Sequence, residues 1–417
     1  MLQRRVVVTG ASVVTSLGCC VSDVWNRVCG GSSGVLPLDD AAARDTGLAV
    51  AGRISEFDAT ALMPVNLRQL RRMDQFARFS LVAAHQACCD SEIDLQKLNP
   101  ARCGAVIGSG FGGLATIENQ HRRLSEQGPE RVSAFFIPSL MINAASGQLA
   151  VHWGLQGPCL GVAGGGVSGT QAIGQAFRLI QSGVADVMLC GGAETPLSRI
   201  GRSGFEAGGP PLSGDGISST VARPFDKDRD GCIPGEGAGV LVLEELDSAR
   251  RRGATVLAEL VGYGRSFADP ADSKQVSAST GNGMLQAMQA ALADAQKSVD
   301  QVDYLHAHAG GQVTADRAEA SAIRRVFARS DRQPAVSSTK GQLGHLFGAA
   351  GAVEAVLCVQ ALTTNLVPPT GNLKVPEENS RLDHVIGSAR QLPVRCVMSN
   401  SFCLTGHSAS LVFARPG

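Results

Sequence analysis

Two histidines are the side chains of this chain best placed for proton chemistry: His308 in LHAHAGG and His345 in TKGQLGHLFG. Imidazole exchanges a proton near neutral pH, and two of them in glycine-bearing stretches are candidate acid-base or hydrogen-bonding groups. Lys340 lies five residues before His345. Asp316 and Glu319 follow His308 at the start of a helical pattern, where acids also stabilise a helix N-terminus by themselves. A third stretch, GVAGGGVSGTQAIGQAF at 161–177, feeds a helix through Gly164, Gly165 and Gly166. An enzyme would place a nucleophile on such a strand-to-helix turn, yet this one carries no side chain. Ser168 reads as a hydrogen-bonding residue at the helix start. Cys159 lies seven residues before Gly166, at the head of the strand. The chain has 12 cysteines, no C-x-x-C pair, and the doublets Cys19-Cys20 and Cys88-Cys89 in apolar surroundings. Reduced thiols acting as small hydrophobes are expected, with no metal site.

These positions need a scaffold. The chain has 417 residues, 44% hydrophobic and 18% charged. That is an ordinary globular balance, enough for two or three domains or one large α/β unit. Lys+Arg and Asp+Glu are both 37, so the net charge is zero. Nothing there favours nucleic acid or an anionic membrane as partner. RRVVVTG near the start reads as a strand rather than a signal peptide. No stretch approaches the roughly 18 uninterrupted apolar residues of a membrane span. With reduced thiols, this predicts a cytoplasmic location.

Strands alternate with helices. RRVVVTG, RCGAVIGSG, LGVAG and ADVMLCGGAE read as strands; FARFSLVAAHQACCD (76–90), SLMINAASGQLAVHWG and SGTQAIGQAFRLIQSG read as helices. The second half repeats the pattern from GNGMLQAMQAALADAQ, through VDYLHAHAG and ADRAEASAIRRVF, to GAAGAVEAVLCVQALTTN and the closing strands RCVMSNSF and SASLVFAR. This order predicts sheets covered by helices, with a seam near residue 250 dividing 1–250 from 251–417. Residues 200–222, rich in Gly, Ser and Pro, read as a surface loop.

Several stretches, in order, resemble one family: the condensing enzymes of the β-ketoacyl-acyl carrier protein synthase II type, which include type II polyketide ketosynthases. The carriers include RRMDQFARF (71–79), GSGFGG (108–113), GLQGP, ADVMLCGGAE, RPFDKDRDGCIPGEGAGVLVLEE (223–245), SSTKGQLGHLFGAAGAVEA and SNSF, spanning nearly the whole chain. The resemblance implies an α/β thiolase-like fold of five layers, α-β-α-β-α, with two related halves. It implies decarboxylative condensation. A cysteine at a buried helix N-terminus, acidified by the helix dipole, takes an acyl group from a carrier protein. Two histidines then help a malonyl thioester lose carbon dioxide, and backbone N–H groups hold the oxyanion. No bound cofactor is implied; substrates ride on the phosphopantetheine of an acyl carrier protein.

The family's A-C-T-S-G stretch aligns with Gly165-Gly166-Val167-Ser168-Gly169, so Gly166 stands where the cysteine belongs. His308 and His345 match the two family histidines, Lys340 the family lysine and Glu354 a supporting carboxylate. Asp316 and Glu319 match the acidic pair, with Glu319 in a position to pair with Lys340. His306 is expected on the same face as His308 but deeper. Two other segments depart. Gly310 and Gln312 replace the threonines that bind the pantetheine arm. N-S-F-G-F-G-G becomes NSFCLTG, so Cys403 and Leu404 replace a glycine and the gating phenylalanine. Leu404 N–H is then the second oxyanion donor, beside Phe402. Core and dimer segments have not drifted. The pattern resembles a chain length factor, the ketosynthase-like subunit that lacks the cysteine, forms a heterodimer with an active ketosynthase and bounds the acyl tunnel. Phe135, Phe136 and Met141, in SAFFIPSLMINAASG, are then candidates for setting tunnel depth; plain core packing is the other reading. Two alternatives stand beside it: a malonyl-carrier decarboxylase using His308 and His345, and a synthase whose cysteine has been replaced by Gly166.

Overall fold

The computed structural model describes residues 4–208, 222–268 and 281–417. Five strands of the main sheet come from the first half: β1 (Val6–Val14), β2 (Cys103–Gly108), β3 (Cys159–Val162), β4 (Val187–Glu194) and β5 (Gly237–Glu245). The second half contributes β6 (Ala258–Phe267), β7 (Tyr304–His306), β8 (Ala335–Ser337), β9 (Asp383–His384), β10 (Cys396–Phe402) and β11 (His407–Ala414). All belong to one 11-stranded sheet, ordered β9-β8-β7-β10-β11-β6-β1-β5-β4-β2-β3. Apart from the two-residue β9, the halves share one arrangement. Counted within each half, the strands run third, second, fourth, fifth, first, and the two first strands, β1 and β6, meet antiparallel at the seam.

Helices fill matching places. α1 (Gln75–Asp90), α2 (Ala144–Trp153) and α3 (Ser168–Gln181) belong to the first half, and α4 (Asn282–Asp294), α5 (Val313–Val326) and α6 (Ala350–Thr364) to the second. α3 and α6 pack on each other and on strands of both halves, while α1 and α2 cover one outer face and α4 and α5 the other. The molecule is therefore layered α-β-α-β-α. Sandwiching explains why α6 is apolar nearly all round: it is buried without a break from Ala350 to Val359, as expected of a helix with no solvent face. α3 and α6 cross closely, for a Cβ on Gly351 would lie 1.9 Å from Thr170 Oγ1. β1, β4 and β10 are buried along their whole length, the continuous apolar pattern of strands covered on both faces.

Two expectations need correction. Residues 200–222 are not simply a loop: Arg199–Gly208 form a helix whose Gly201 and Phe205 turn inward at helical spacing, and 209–221 lie outside the described residues. SLMINAASGQLAVHWG is not one helix either. A short helix, Phe136–Leu140, ends before Met141, and α2 restarts after Asn143. The break presses on β3, where a Cβ on Gly161 would stand 2.7 Å from Asn143 Cα.

Candidate active site

Topology brings the histidines and the glycine turn together. α3 and α6 are each led in by one tight turn, Gly165–Val167 and Phe347–Ala349, and the two turns touch. Two helix N-termini therefore converge, and their partial positive charge suits a developing anion. His308 follows β7 by two residues, and His345 precedes the turn of α6. A Cβ built on Gly166 would lie 3.9 Å from His308 Cε1, 3.8 Å from His345 Cε1 and 3.0 Å from Phe402 O. A side chain at Gly166 would thus point between the two imidazoles, and none is there.

The imidazole rings lie 5.2 Å apart at 77°. Burial, with Lys340 nearby, holds both His308 and His345 well below the usual imidazole range. They are neutral at physiological pH and act as hydrogen-bond donors or bases rather than cations. His345 Nδ1 accepts from Phe347 N–H at 3.0 Å, which assigns the ring proton to Nε2. His308 Nδ1 is buried and has no hydrogen-bond partner among the described residues. His306 is fully buried, with Nε2 3.2 Å from Thr339 Oγ1. Burial drives it down to about 3, and it belongs to the scaffold.

Lys340 pairs with Glu354, not with Glu319, both side chains being 2% exposed. α6 delivers Glu354 to the lysine, whereas α5 points Glu319 at the strand end. Glu319 Oε1 and Oε2 accept from His308 N–H and Ala309 N–H at 2.9 and 2.7 Å. It thereby fixes the backbone that carries the first imidazole. Burial pushes its carboxyl up to about 7. Asp316 likewise accepts from Gly310 and Gly311 N–H and from Phe225 N–H at 2.9 Å.

Ser168 does not cap its own helix. Its hydroxyl accepts from Gly164 N–H at 2.9 Å and donates to Gly165 O at 2.7 Å, closing the glycine turn. Gly165 has φ +61°, and its missing Cβ would lie 2.5 Å from Cys403 Sγ. The Cys403 thiol thus occupies the room an alanine methyl at 165 would need, with Thr405 Oγ1 donating to Sγ at 3.3 Å. Leu404 sits in the turn closed by Gly406 N–H to Cys403 O at 2.9 Å, and its own N–H makes no part of that closure. The Phe402 ring packs 5.7 Å from His308. A Cβ on Gly310 would meet nothing nearer than 3.7 Å, at Cys232 Cβ and Lys340 Cδ. Gln312 is buried and directs Nε2 at Cys232 Sγ. Cys159 lies exposed on the edge strand β3.

A cavity of about 510 Å³ opens beside the site, lined in part by Phe111, Met141, Ile142 and Gly161. Phe111 is 5.5 Å from Phe347, which stacks on His345 at 4.5 Å and 9°. Met141 is part of the cavity wall, whereas Phe135 and Phe136 are not. Phe135 is exposed beneath the Arg72 guanidinium, 4.5 Å from its ring centroid. Phe111, Phe347 and the Cys403 contact escaped sequence reasoning because each acts across segments distant in the chain.

The described geometry has a neutral pair of imidazoles, two helix N-termini and an open cavity beside them, and no thiol on the turn between the rings. The Beta-ketoacyl synthase N-terminal domain family matches residues 3–249, and the C-terminal domain family matches residues 257–374. The chain is 39% identical to 3-oxoacyl-[acyl-carrier-protein] synthase 2 of Vibrio harveyi, over 100% of this chain and 99% of that one. Among solved structures, the ishigamide ketosynthase/chain length factor superposes with TM-score 0.90 at 30% identity over 100% of both chains. A type II polyketide synthase acyl-carrier protein in complex with its ketosynthase bound to the hexaketide gives TM-score 0.88 at 28% identity, also over 100% of both. Sequence and thiolase-like fold agree that the chain belongs to the β-ketoacyl synthase family.

Proposed function

We propose that this chain is a chain length factor: a ketosynthase-family subunit that pairs with a cysteine-bearing homologue and shapes the acyl tunnel of the pair, without condensing activity of its own. The carrying observation is Gly166, whose absent Cβ would point at both imidazoles within 4 Å. Covalent acyl transfer needs a nucleophile there, and a hydrogen cannot supply one. The cavity beside the site, with Met141 in its wall, gives such a subunit a surface for bounding a growing chain. An acyl carrier protein delivers the substrate on its phosphopantetheine, and the cytoplasm is the expected location. The test is co-expression with a cysteine-bearing homologue. A stable heterodimer that makes a product neither chain makes alone supports the reading. A chain that condenses by itself overturns it.

The intact imidazole pair favours one second reading, decarboxylation of a malonyl thioester. Neutral His345, with its proton on Nε2, and His308 would hydrogen-bond the thioester carbonyl oxygen. The C–C bond to the carboxylate breaks, carbon dioxide leaves, and the enolate takes a proton to give the acetyl thioester. The open space at Gly310, where relatives place an arm-binding threonine, weakens this reading. Carbon dioxide release from malonyl-carrier protein by the purified chain would establish it.

A further inference from the structure

Glu194, the last residue of β4, is 0% exposed and forms no ion pair among the described residues. Four hydrogen bonds hold it instead. Oε1 accepts from Ser109 Oγ at 2.7 Å and Phe111 N–H at 3.2 Å; Oε2 accepts from Gly110 N–H at 2.5 Å and Gly348 N–H at 3.1 Å. The donors come from two segments far apart in sequence. One is the loop after β2, whose Phe111 is a wall of the cavity. The other is the turn heading α6, where Phe347 stacks on His345. The fit leaves no slack, since a Cβ on Gly348 would stand 2.4 Å from Oε2 and one on Gly110 3.0 Å. A Cβ on Gly110 would also come within 3.4 Å of Gly165 Cα in the glycine turn.

We propose that Glu194 is a positioning residue that couples the tunnel wall at Phe111 to the imidazole of His345. Burial pushes the Glu194 carboxyl up to about 7. Above that pH the carboxylate offers acceptors to all four donors, whereas an amide offers one oxygen and turns a hydrogen-bearing nitrogen toward the rest. The mechanical link stands on the hydrogen bonds alone; its consequence for product length rests on the tunnel-shaping role proposed above.

Glu194→Gln tests the link, with Ser109→Ala as a milder variant that keeps the carboxylate and removes one donor. In hydrogen-deuterium exchange on the purified chain, segments 108–113 and 345–350 should both exchange about tenfold faster in Glu194→Gln, with β1 and β5 unchanged. Ser109→Ala should loosen both segments to a smaller degree. Loosening confined to 108–113, or none in either variant, overturns the coupling. In the heterodimer, Glu194→Gln should lower the share of the dominant product about twofold while total turnover stays within about threefold of wild type. Turnover lost with the product distribution unchanged would mark a merely structural role and overturn the proposal. If the wild-type chain forms no heterodimer, the partner reading fails, and the exchange experiment still decides the coupling.

Discussion

Gly165 and Cys403 show how two residues from separate segments share one space. Gly165 holds φ +61°, and Cys403 Sγ fills the space beside it. Gly165→Ala is expected to destabilise the chain by about 1–3 kcal/mol, from the left-handed backbone and from the contact. Adding Cys403→Gly should recover the contact part only, which denaturant unfolding of the single and double variants measures. The Lys340–Glu354 pair is wholly buried, so Lys340→Met leaves a carboxylate without its counter-ion. A loss of about 3–5 kcal/mol is expected, recovered in part by adding Glu354→Gln. Gly166, His308 and His345 were legible in the sequence because each sits in a glycine-bearing motif of fixed register. Which acid meets Lys340 was not, for that depends on how α5 and α6 pack rather than on any local spacing.

At the scale of elements, the alternation of strands and helices was readable because apolar periodicity is strong in long buried segments. Two failures have physical causes. The helix Arg199–Gly208 is glycine-rich and keeps its shape by burying Phe205, a tertiary effect that composition hides. The split before α2 arises where the chain crosses β3, which no local signal marks. α6 extends an apolar run from Phe347 to Thr364 long enough for a membrane, yet 83% of it is buried inside the protein. Burial between the two halves of the sheet explains that composition. β3 is the last strand of its sheet, with Leu160 43% and nearby Val151 74% exposed. An apolar, unpaired edge is an association surface. On the proposed pairing, Leu160→Lys should therefore abolish copurification with a cysteine-bearing homologue while leaving the circular dichroism spectrum unchanged.

For the whole molecule, the duplicated strand order places the site where the two halves meet, enclosed by the core. Buried titrating groups tie the stability of the fold to pH. Burial pushes Glu236 and Glu319 up to about 7 and pulls His306 and His384 down to about 3 and about 4. The raised carboxyls add stability below their unfolded value, and that contribution is lost as pH climbs through 7. The lowered imidazoles act in the opposite sense. The unfolded chain takes up protons below about 6.5 that the fold refuses, so stability falls as pH drops from there. Denaturant unfolding should show a maximum between about pH 5.5 and 7. Glu236→Gln should lessen the decline above it, and an unchanged slope would place the titration elsewhere.

Mass spectrometry of the intact protein after incubation with an acyl thioester tests the central claim most directly. The account predicts an unmodified wild-type chain and a single acyl adduct on Gly166→Cys, whose thiol would enter the space between His308 and His345. An acyl group found on the wild-type chain, at Cys403, Cys159 or any other cysteine, would contradict it.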